Sequence, residues 1–312
     1  MDIIRPPRLR PGELIALVSP ASPIADTSRI ERGVRYLEGL GYRTILGASI
    51  TRNHGYLAGT DEERVADLHA MFTHPEVRAV MCIRGGYGTP RLLSLVNYRL
   101  IARNPKILLG YSDITALQLA IWRKTRLVTF HGPMVGVDMA DPMDHFTEEL
   151  LWSVLTSAKR RGPIALPEGS GQVVVPGKGR GRLLGGNLAL LVSLLGTPHQ
   201  PDFTGSILFL EDIGEEPYRV DRMLAQLRNA SILSRASAIL SGQFTDCVPQ
   251  DKTKPSFNVE EVIQESAHLA GRPFLFRLPF GHESIKMTIP VGAQARVDAD
   301  RRLIDYAEAA VR

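Results

Sequence analysis

Short apolar runs alternate with helical patterns through the first 139 residues, and no other feature of the sequence limits the fold as strongly. The segments between the runs carry apolar residues at helical spacing, as Ile30, Val34 and Leu37 do. Strands that are apolar along their whole length belong to parallel sheets covered by helices on both faces. The sequence therefore predicts a doubly wound, flavodoxin-like α/β domain over residues 1–139. The apolar runs are Glu13–Ser19, Ala79–Ile83, Ile107–Leu109 and Val128–Phe130.

Local patterns predict where some of these helices begin and how far they run. Ser28–Glu31 and Thr60–Glu63 both match the Ser/Thr-x-x-Glu capping box, in which side chains at the two ends of the motif satisfy each other's backbone N–H groups. Apolar spacing predicts one continuous helix over Arg91–Ala102 and another over Thr115–Arg123.

The second half of the chain has a different pattern. Residues 140–176 contain two stretches rich in turn-forming residues, 159–163 and 167–171, which are typical of an interdomain connection. Strand patterns return afterwards, and residues 295–306 alternate around an Asp-Ala-Asp-Arg turn as a hairpin does. Because 312 residues exceed what one hydrophobic core usually supports, we expect a second, β-rich α/β domain over residues 177–312.

Composition excludes several classes of protein. The 44% hydrophobic and 22% charged content is ordinary for a folded chain, and the net charge of +4 favours a small anionic substrate over nucleic acid. No apolar stretch is long enough for a membrane span or a secretory signal, so we expect no membrane partner and a cytoplasmic location. Two cysteines are too few for a disulfide framework or a zinc site, and the histidines lack metal-ligand spacing. We therefore predict no metal and no cofactor.

The turn after the Ile107–Leu109 run has the pattern of a nucleophile elbow. Gly110-Tyr-Ser-Asp lies between a buried strand and a helix that starts at Ile114. Such a turn exposes the Ser112 hydroxyl above the sheet and leaves backbone N–H groups at the helix start free to hold negative charge. The alternative is that Ser112 only caps this helix, as serine often does.

An acid and a base follow in the second half. The run Ser206–Leu210 leads into Glu211 and Asp212, and Pro279-Phe-Gly precedes His282. A serine hydroxyl needs an imidazole to accept its proton, and the imidazole needs a carboxylate to fix its tautomer. Chain order does not establish geometry, so these residues alone leave the triad, and the choice between the two carboxylates, open.

A glycine-rich loop, Arg84–Gly88, follows the Ala79–Ile83 run directly. Its glycines allow the backbone close to a ligand, so the N–H of Gly86 could join that of Asp113 in an oxyanion hole. A tight turn or a phosphate-binding loop would give the same pattern. Arg84 is the first candidate for binding a substrate carboxylate, since guanidinium groups bind carboxylates in a bidentate manner. Lower candidates for substrate contacts or pocket shape are Arg180, Arg182, Arg219, Tyr111 and Glu283.

Together these motifs resemble the LD-carboxypeptidases, a serine peptidase family that also includes the microcin C self-immunity peptidases. The resemblance covers nearly the whole chain. It implies that Ser112 is the nucleophile, that Glu211 orients His282, and that backbone N–H groups form the oxyanion hole. It also implies a homodimer, and an active site between a doubly wound N-terminal domain and a β-rich C-terminal one. The matching motifs are Gly55–Gly59, Ile83–Gly88, Gly110–Thr115, Gly185–Leu188, Phe209–Asp212, Pro217–Arg222 and Gly281–His282.

Three functional hypotheses follow. The first is a carboxypeptidase that releases terminal D-alanine from cytoplasmic murein tetrapeptides during cell-wall recycling, through an acyl-enzyme on Ser112. The second is an amidase that cleaves peptidyl or aminoacyl nucleotide antibiotics, which would require an adenine pocket that the sequence does not locate. The third, from a different class, is a non-catalytic flavodoxin-like binding module in which Ser112 is only a helix cap.

Overall fold

A computed structural model describes residues 2–312 and arranges them in two sheets with surrounding helices. The strands are β1 (Leu14–Val18), β2 (Arg43–Leu46), β3 (Val77–Cys82), β4 (Ile107–Gly110), β5 (Thr129–His131), β6 (Gly162–Pro163), β7 (Gln172–Val175), β8 (Lys178–Asn187), β9 (Ile207–Ile213), β10 (Ala238–Thr245), β11 (Phe274–Phe276), β12 (Ile289–Val291), β13 (Gln294–Asp298) and β14 (Leu303–Tyr306). The helices are α1 (Ser28–Gly39), α2 (Asp61–Thr73), α3 (Thr89–Leu92), α4 (Tyr98–Arg103), α5 (Ile114–Thr125), α6 (His145–Thr156), α7 (Leu188–Ser193), α8 (Pro217–Asn229), α9 (Ile232–Arg235) and α10 (Val259–Ala270).

The first sheet has the order β12-β5-β4-β3-β1-β2. Strands β1 to β5 are parallel, and their side chains are buried along β1, β4 and β5. Strands can be buried along their whole length in this way only when both faces of the sheet are covered, as helices do in a doubly wound fold. The predicted doubly wound N-terminal fold is confirmed.

The second sheet has the order β6-β14-β13-β8-β9-β10-β11-β7. Its central strands β8, β9, β10 and β11 are parallel, whereas the flanking strands are antiparallel, including the predicted hairpin of β13 and β14. Seven strands and four helices lie within residues 177–312, so this half is β-rich, as the sequence predicts. With two sheets and their surrounding helices, the chain has the predicted α/β fold class.

The three segments predicted from the sequence do not correspond one to one with the two sheets. Strand β12, which lies within the segment 177–312, pairs antiparallel with β5 and completes the first sheet. Strands β6 and β7, within the segment 140–176, form the two edges of the second sheet. Sequence patterns report local structure and not strand partners, so such crossings were not visible in them. The division at 1–139, 140–176 and 177–312 stays a prediction.

Helix starts differ in part from the predictions. The capping box of Thr60 and Glu63 is confirmed, with hydrogen bonds in both directions. The one predicted at Ser28 is wrong, because Asp26 accepts the Ser28 N–H and Thr27 makes no side-chain cap. The single helix predicted over 91–102 is also wrong, since Asn97 caps a new helix there by accepting from the N–H of Leu100.

The carboxyl ends of the two sheets meet where β8 reaches the start of α5. The Asn187 N–H donates to Thr115 Oγ1 at 3.0 Å, which links the second sheet to the helix that follows Ser112. Gly186 has a φ of +134° at this junction, and a Cβ there would clash with the Thr115 side chain. Asn187 is paired in register with Glu211 on β9. This contact therefore brings the serine turn and the Glu211 strand to one edge.

No helix among residues 2–312 is long and apolar enough to cross a membrane. The two cysteines, Cys82 and Cys247, are buried free thiols.

Candidate active site

Ser112 lies in a strained turn between β4 and α5. Its φ is +62°, a region that residues with a side chain rarely occupy, and its side chain is half-buried. A sharp, strained turn from a strand into a helix is the geometry of a nucleophile elbow. Asp113 is the N-cap residue of α5, and no side-chain cap hydrogen bond is formed there. The alternative interpretation of Ser112 as a helix cap is therefore wrong.

The glycine-rich loop 84–88 passes directly over this turn. A Cβ on Gly85 would lie 2.9 Å from Ser112 Cβ and 3.1 Å from its Oγ. Real Cβ atoms do not approach other heavy atoms so closely, so this position needs glycine. The backbone of the loop thereby comes close to the serine and to the N–H of Asp113, which would lie 3.4 Å from the same Cβ.

The Asp113 side chain fixes the loop to the elbow. Its carboxylate accepts from the N–H of Gly88 at 3.1 Å and from the N–H of Thr89 at 2.8 Å, and the Thr89 hydroxyl donates to its carbonyl. Asp113 is fully buried, and burial raises the pKa of its carboxyl while these N–H donors lower it. The sequence analysis predicts a role only for the backbone N–H of Asp113. Its carboxylate also binds the glycine-rich loop, and the only sign of this in the sequence is an acidic residue directly after Ser112.

The backbone N–H groups of Gly86 and Asp113 donate to no other residue within 2–312. Gly86 has a φ of +103°, and a Cβ there would lie 2.5 Å from Ser22 Oγ. The loop backbone thus has a conformation that only glycine adopts without strain. Two unengaged N–H groups beside a serine can stabilise negative charge on a ligand oxygen.

Glu211 and His282 contact each other. His282 Nδ1 and Glu211 Oε2 are 2.8 Å apart, and the Glu211 side chain is fully buried. Gly281 allows this approach, because a Cβ at that position would lie 3.0 Å from the same oxygen. The imidazole side chain is 14% exposed, so it borders the surface while its carboxylate partner is enclosed.

Asp212 has a different role from its neighbour. Its carboxylate accepts from the Asn187 side-chain amide and from the N–H groups of Ala189 and Ile213. It therefore holds the start of α7 against β9 and does not contact the imidazole. Burial, followed by the charge of Glu211, raises the pKa of Asp212 to about 6. Of the two carboxylates that the sequence left open, Glu211 is the one beside His282.

An aromatic contact joins the serine turn to the histidine. Tyr111, which directly precedes Ser112, is buried and packs edge-on against the His282 ring with centroids 5.1 Å apart. Ser112, which follows β4, and His282, in the loop between β11 and β12, therefore lie in one neighbourhood. A second histidine, His131 at the end of β5, packs against Tyr111 and Phe209. Burial lowers the pKa of His131 to about 4, and sequence reasoning missed this residue because nothing nearby marks it.

The predicted substrate contacts are distributed unevenly. Arg84 is half-buried beside the glycine-rich loop, where its Nη1 donates to the Pro23 carbonyl at 3.2 Å. Its Nε is buried without a hydrogen-bond partner, and no carboxylate among residues 2–312 pairs with it. Glu283 is exposed and accepts from the Thr245 hydroxyl at 2.9 Å.

The lower-ranked arginines have other surroundings. Arg182 pairs with Glu308, Arg219 lies near Glu215, and Arg180 is exposed on β8. Within residues 2–312, no three His, Cys, Asp or Glu side chains are grouped so that they could hold a metal ion.

Two family models match this chain over more than half of its length. Residues 15–132 match the LD-carboxypeptidase N-terminal domain, and residues 180–297 match the LD-carboxypeptidase C-terminal domain. A probable murein peptide carboxypeptidase of Bacillus subtilis (strain 168) is 42% identical over 94% of this chain and 91% of its own length.

Two kinds of solved structure are also similar. A muramoyltetrapeptide carboxypeptidase from Oxalobacter formigenes has a TM-score of 0.82 and 31% identity, covering 94% of this chain and 97% of its own. The microcin C7 self immunity protein MccF, in complex with aspartyl sulfamoyl adenosine, has a TM-score of 0.90 and 27% identity, covering 99% of this chain and 100% of its own. The chain belongs to the LD-carboxypeptidase family and is a serine-type carboxypeptidase.

Proposed function

We propose that the enzyme releases terminal D-alanine from murein tetrapeptides by hydrolysing the bond between an L-configured centre and that D residue. The observation that carries the proposal is the hydrogen bond between His282 and the buried Glu211, at an edge where Tyr111 joins the imidazole to the serine turn. The similarity to proteins named for murein peptides and for muramoyltetrapeptides supports this substrate class.

In this mechanism Ser112 Oγ attacks the carbonyl carbon that precedes the D-alanine nitrogen. His282 Nε2 accepts the hydroxyl proton as the new C–O bond forms, and Glu211 accepts the Nδ1–H hydrogen bond and stabilises the resulting cation. The tetrahedral intermediate collapses when the C–N bond breaks and His282 donates its proton to the leaving amine. Water then attacks the acyl-enzyme, and His282 accepts its proton and returns one to Ser112.

The oxyanion of each tetrahedral intermediate would accept hydrogen bonds from the N–H groups of Gly86 and Asp113. Both groups lack other partners among the described residues, and the Asp113 carboxylate fixes the loop that carries Gly86. Donors held in place before the reaction stabilise developing charge without reorganising. Loss of one such donor typically lowers kcat by about 10²–10³-fold.

Arg84 would bind the free carboxylate of the terminal D-alanine. A carboxypeptidase needs a cation beyond the scissile bond, and this guanidinium lies beside the loop of the oxyanion hole, without an acidic partner in residues 2–312. A half-buried arginine without a counterion is suited to pair with an incoming carboxylate through two parallel hydrogen bonds. Tyr111 and Glu283 would line the same cleft.

Incubation of the purified enzyme with a murein tetrapeptide tests the proposal. The wild type is expected to release D-alanine, while Ser112→Ala and His282→Ala are expected to lower kcat by roughly 10⁴–10⁶-fold. Released D-alanine is measured by chromatography with the undigested tetrapeptide as reference. Release by Ser112→Ala at the rate of the wild type would remove the serine from the mechanism.

A second candidate activity is cleavage of aminoacyl nucleotides, as the likeness to the complex of MccF with aspartyl sulfamoyl adenosine suggests. The same serine, histidine and glutamate would perform the acyl transfer, and only the leaving group would differ. Incubation with aspartyl sulfamoyl adenosine, followed by measurement of free aspartate, distinguishes the two activities. Aspartate release without D-alanine release from the tetrapeptide would favour this second activity.

The family resemblance also supports a homodimer that acts in the cytoplasm during cell-wall recycling. Light scattering of the purified enzyme tests the first part, with twice the mass of one 34.3 kDa chain as the expected result. Fractionation of the source cells tests the second.

A further inference from the structure

The loop that carries His282 is anchored in the first half of the protein by Lys286. This lysine is 5% exposed, and its ammonium group forms an ion pair with Asp138. The same Nζ donates to the Tyr111 hydroxyl at 3.2 Å and lies 4.5 Å from the centre of the Tyr111 ring. None of these contacts was anticipated from the sequence, because neither Lys286 nor Asp138 belongs to a recognisable motif.

The partners of Lys286 are themselves fixed. The other carboxylate oxygen of Asp138 accepts from the Met134 N–H at 2.7 Å, within the segment that follows β5. The backbone N–H of Lys286 donates to the buried hydroxyl of Thr147 on α6 at 2.9 Å. Lys286 is therefore held through both its backbone and its side chain, by elements that precede the second sheet.

These contacts connect the two reacting residues by a short route. Tyr111 is bonded to Ser112 through the chain, its hydroxyl contacts Lys286, and its ring contacts the His282 ring. Lys286 is four residues after His282 in the same loop. Any shift of this loop relative to the serine turn must break the ion pair, the hydroxyl contact or both.

The energetics favour a geometric role over a stabilising one. A buried ion pair contributes little net stability, because removing both charges from water offsets most of their attraction. Reacting groups supplied by segments far apart in the chain must nevertheless be aligned to within about half an ångström. A buried, directional contact beside the reacting residues meets that requirement better than apolar packing alone.

We propose that Lys286, paired with Asp138, is a positioning residue that holds the His282 loop in register with Ser112. This role rests on the serine mechanism proposed above. Lys286 touches neither the substrate nor the reacting atoms, and it acts through Tyr111 and the loop backbone.

The test compares Lys286→Met, Asp138→Asn and the double variant with the wild type. Each single variant is expected to lower kcat by roughly 10²-fold with little change in KM, as misplacement of a catalytic group by about 1 Å does. The kcat of the double variant is expected to be no lower than that of the less active single variant, because the two side chains act as one unit.

A second readout does not depend on the peptide substrate. A fluorophosphonate reacts with an activated serine, because the Oγ–P bond forms as the P–F bond breaks, fluoride leaves and the histidine accepts the hydroxyl proton. Its rate of labelling at Ser112 is expected to fall in parallel with kcat in the Lys286 and Asp138 variants. If the wild type is labelled but releases no D-alanine, the substrate assignment fails while the positioning role is still tested.

Arg160→Met is the matched control, because Arg160 pairs at 2.6 Å with the buried Asp305 on β14, next to the edge strand β6 of the second sheet. It is expected to lower the free energy of unfolding without slowing the labelling of folded enzyme. Lys286→Met that labels at the rate of the wild type would overturn the proposal. The proposal would also be overturned if Arg160→Met lost labelling rate as much as Lys286→Met at the same free energy of unfolding. A wild type whose Ser112 is not labelled at all would overturn it as well.

Discussion

His131 offers a quantitative test of how the core beside the active site is built. Its imidazole is 2% exposed among the rings of Tyr111, Phe209 and Phe280, and its Nδ1 has no hydrogen-bond partner. Burial is the largest influence and lowers the pKa of this residue from 6.5 to about 4, against the charge of Glu211, which raises it. The folded protein therefore holds His131 neutral under conditions in which the unfolded chain protonates it.

The sign and size of the effect follow from that difference. Above about pH 7.5 the side chain is neutral in both states and has no effect on stability. As the pH falls below 6.5, the unfolded chain binds a proton that the folded protein does not, so the free energy of unfolding decreases until about pH 4. At pH 5 the loss is about 2 kcal/mol, because one pKa unit corresponds to about 1.4 kcal/mol.

The assay is urea unfolding of the wild type and of His131→Gln at about pH 8 and pH 5. Glutamine cannot be protonated, so the variant is expected to lose about 2 kcal/mol less than the wild type on acidification. Other groups, such as Asp212, titrate equally in both proteins and cancel. His54→Gln, at an exposed position, is the matched control and is expected to follow the wild type. Equal pH dependence of the wild type and His131→Gln would refute a buried neutral imidazole.

Three further predictions concern the site itself. Arg84→Met is expected to raise KM roughly 10- to 100-fold with a smaller effect on kcat, since it removes a charged hydrogen-bond donor for the substrate carboxylate, and an unchanged KM in steady-state assays would contradict this. Gly85→Ala is expected to lower kcat roughly 10²-fold, because the added Cβ would displace Ser112. Gly39→Ala, where the added Cβ has open space around it, is the control and is expected to leave kcat unchanged. Equal kcat values for the two variants would show that the close approach of Gly85 to Ser112 is unimportant. Glu211→Gln is expected to lower kcat by about 10³–10⁴-fold. Asp212→Asn is expected mainly to lower the free energy of unfolding, by roughly 1–3 kcal/mol. A Glu211→Gln variant with nearly full activity would show that Glu211 does not orient the His282 imidazole.

The sequence predicted features that depend on local patterns. The doubly wound sheet followed from apolar strands alternating with helices, and the strained turn at Ser112 followed from a strand that leads into Gly-Tyr-Ser-Asp. The capping box at Thr60 is equally local. Each of these is decided by residues close together in the chain, so the chain itself carries the signal.

Features that depend on distant partners were missed. The packing of Tyr111 against His282, the ion pair of Lys286 with Asp138 and the burial of His131 all join segments far apart in the sequence. No spacing rule relates such residues, and each looks ordinary in its own segment. The capping box predicted at Ser28 is absent for a local reason, because the Asp26 carboxylate accepts the hydrogen bond from the Ser28 N–H.

The late strand β12 has a consequence for synthesis of the enzyme. Until residue 291 has been made, the outer edge of β5 has unpaired backbone groups, and such edges attract other strands. His282 and Lys286 lie in the segment just before β12, so the pairing of β12 with β5 also fixes the end of that segment. In a growing chain, the segment that carries His282 is therefore expected to reach its final place only after β12 has been synthesised and has paired with β5.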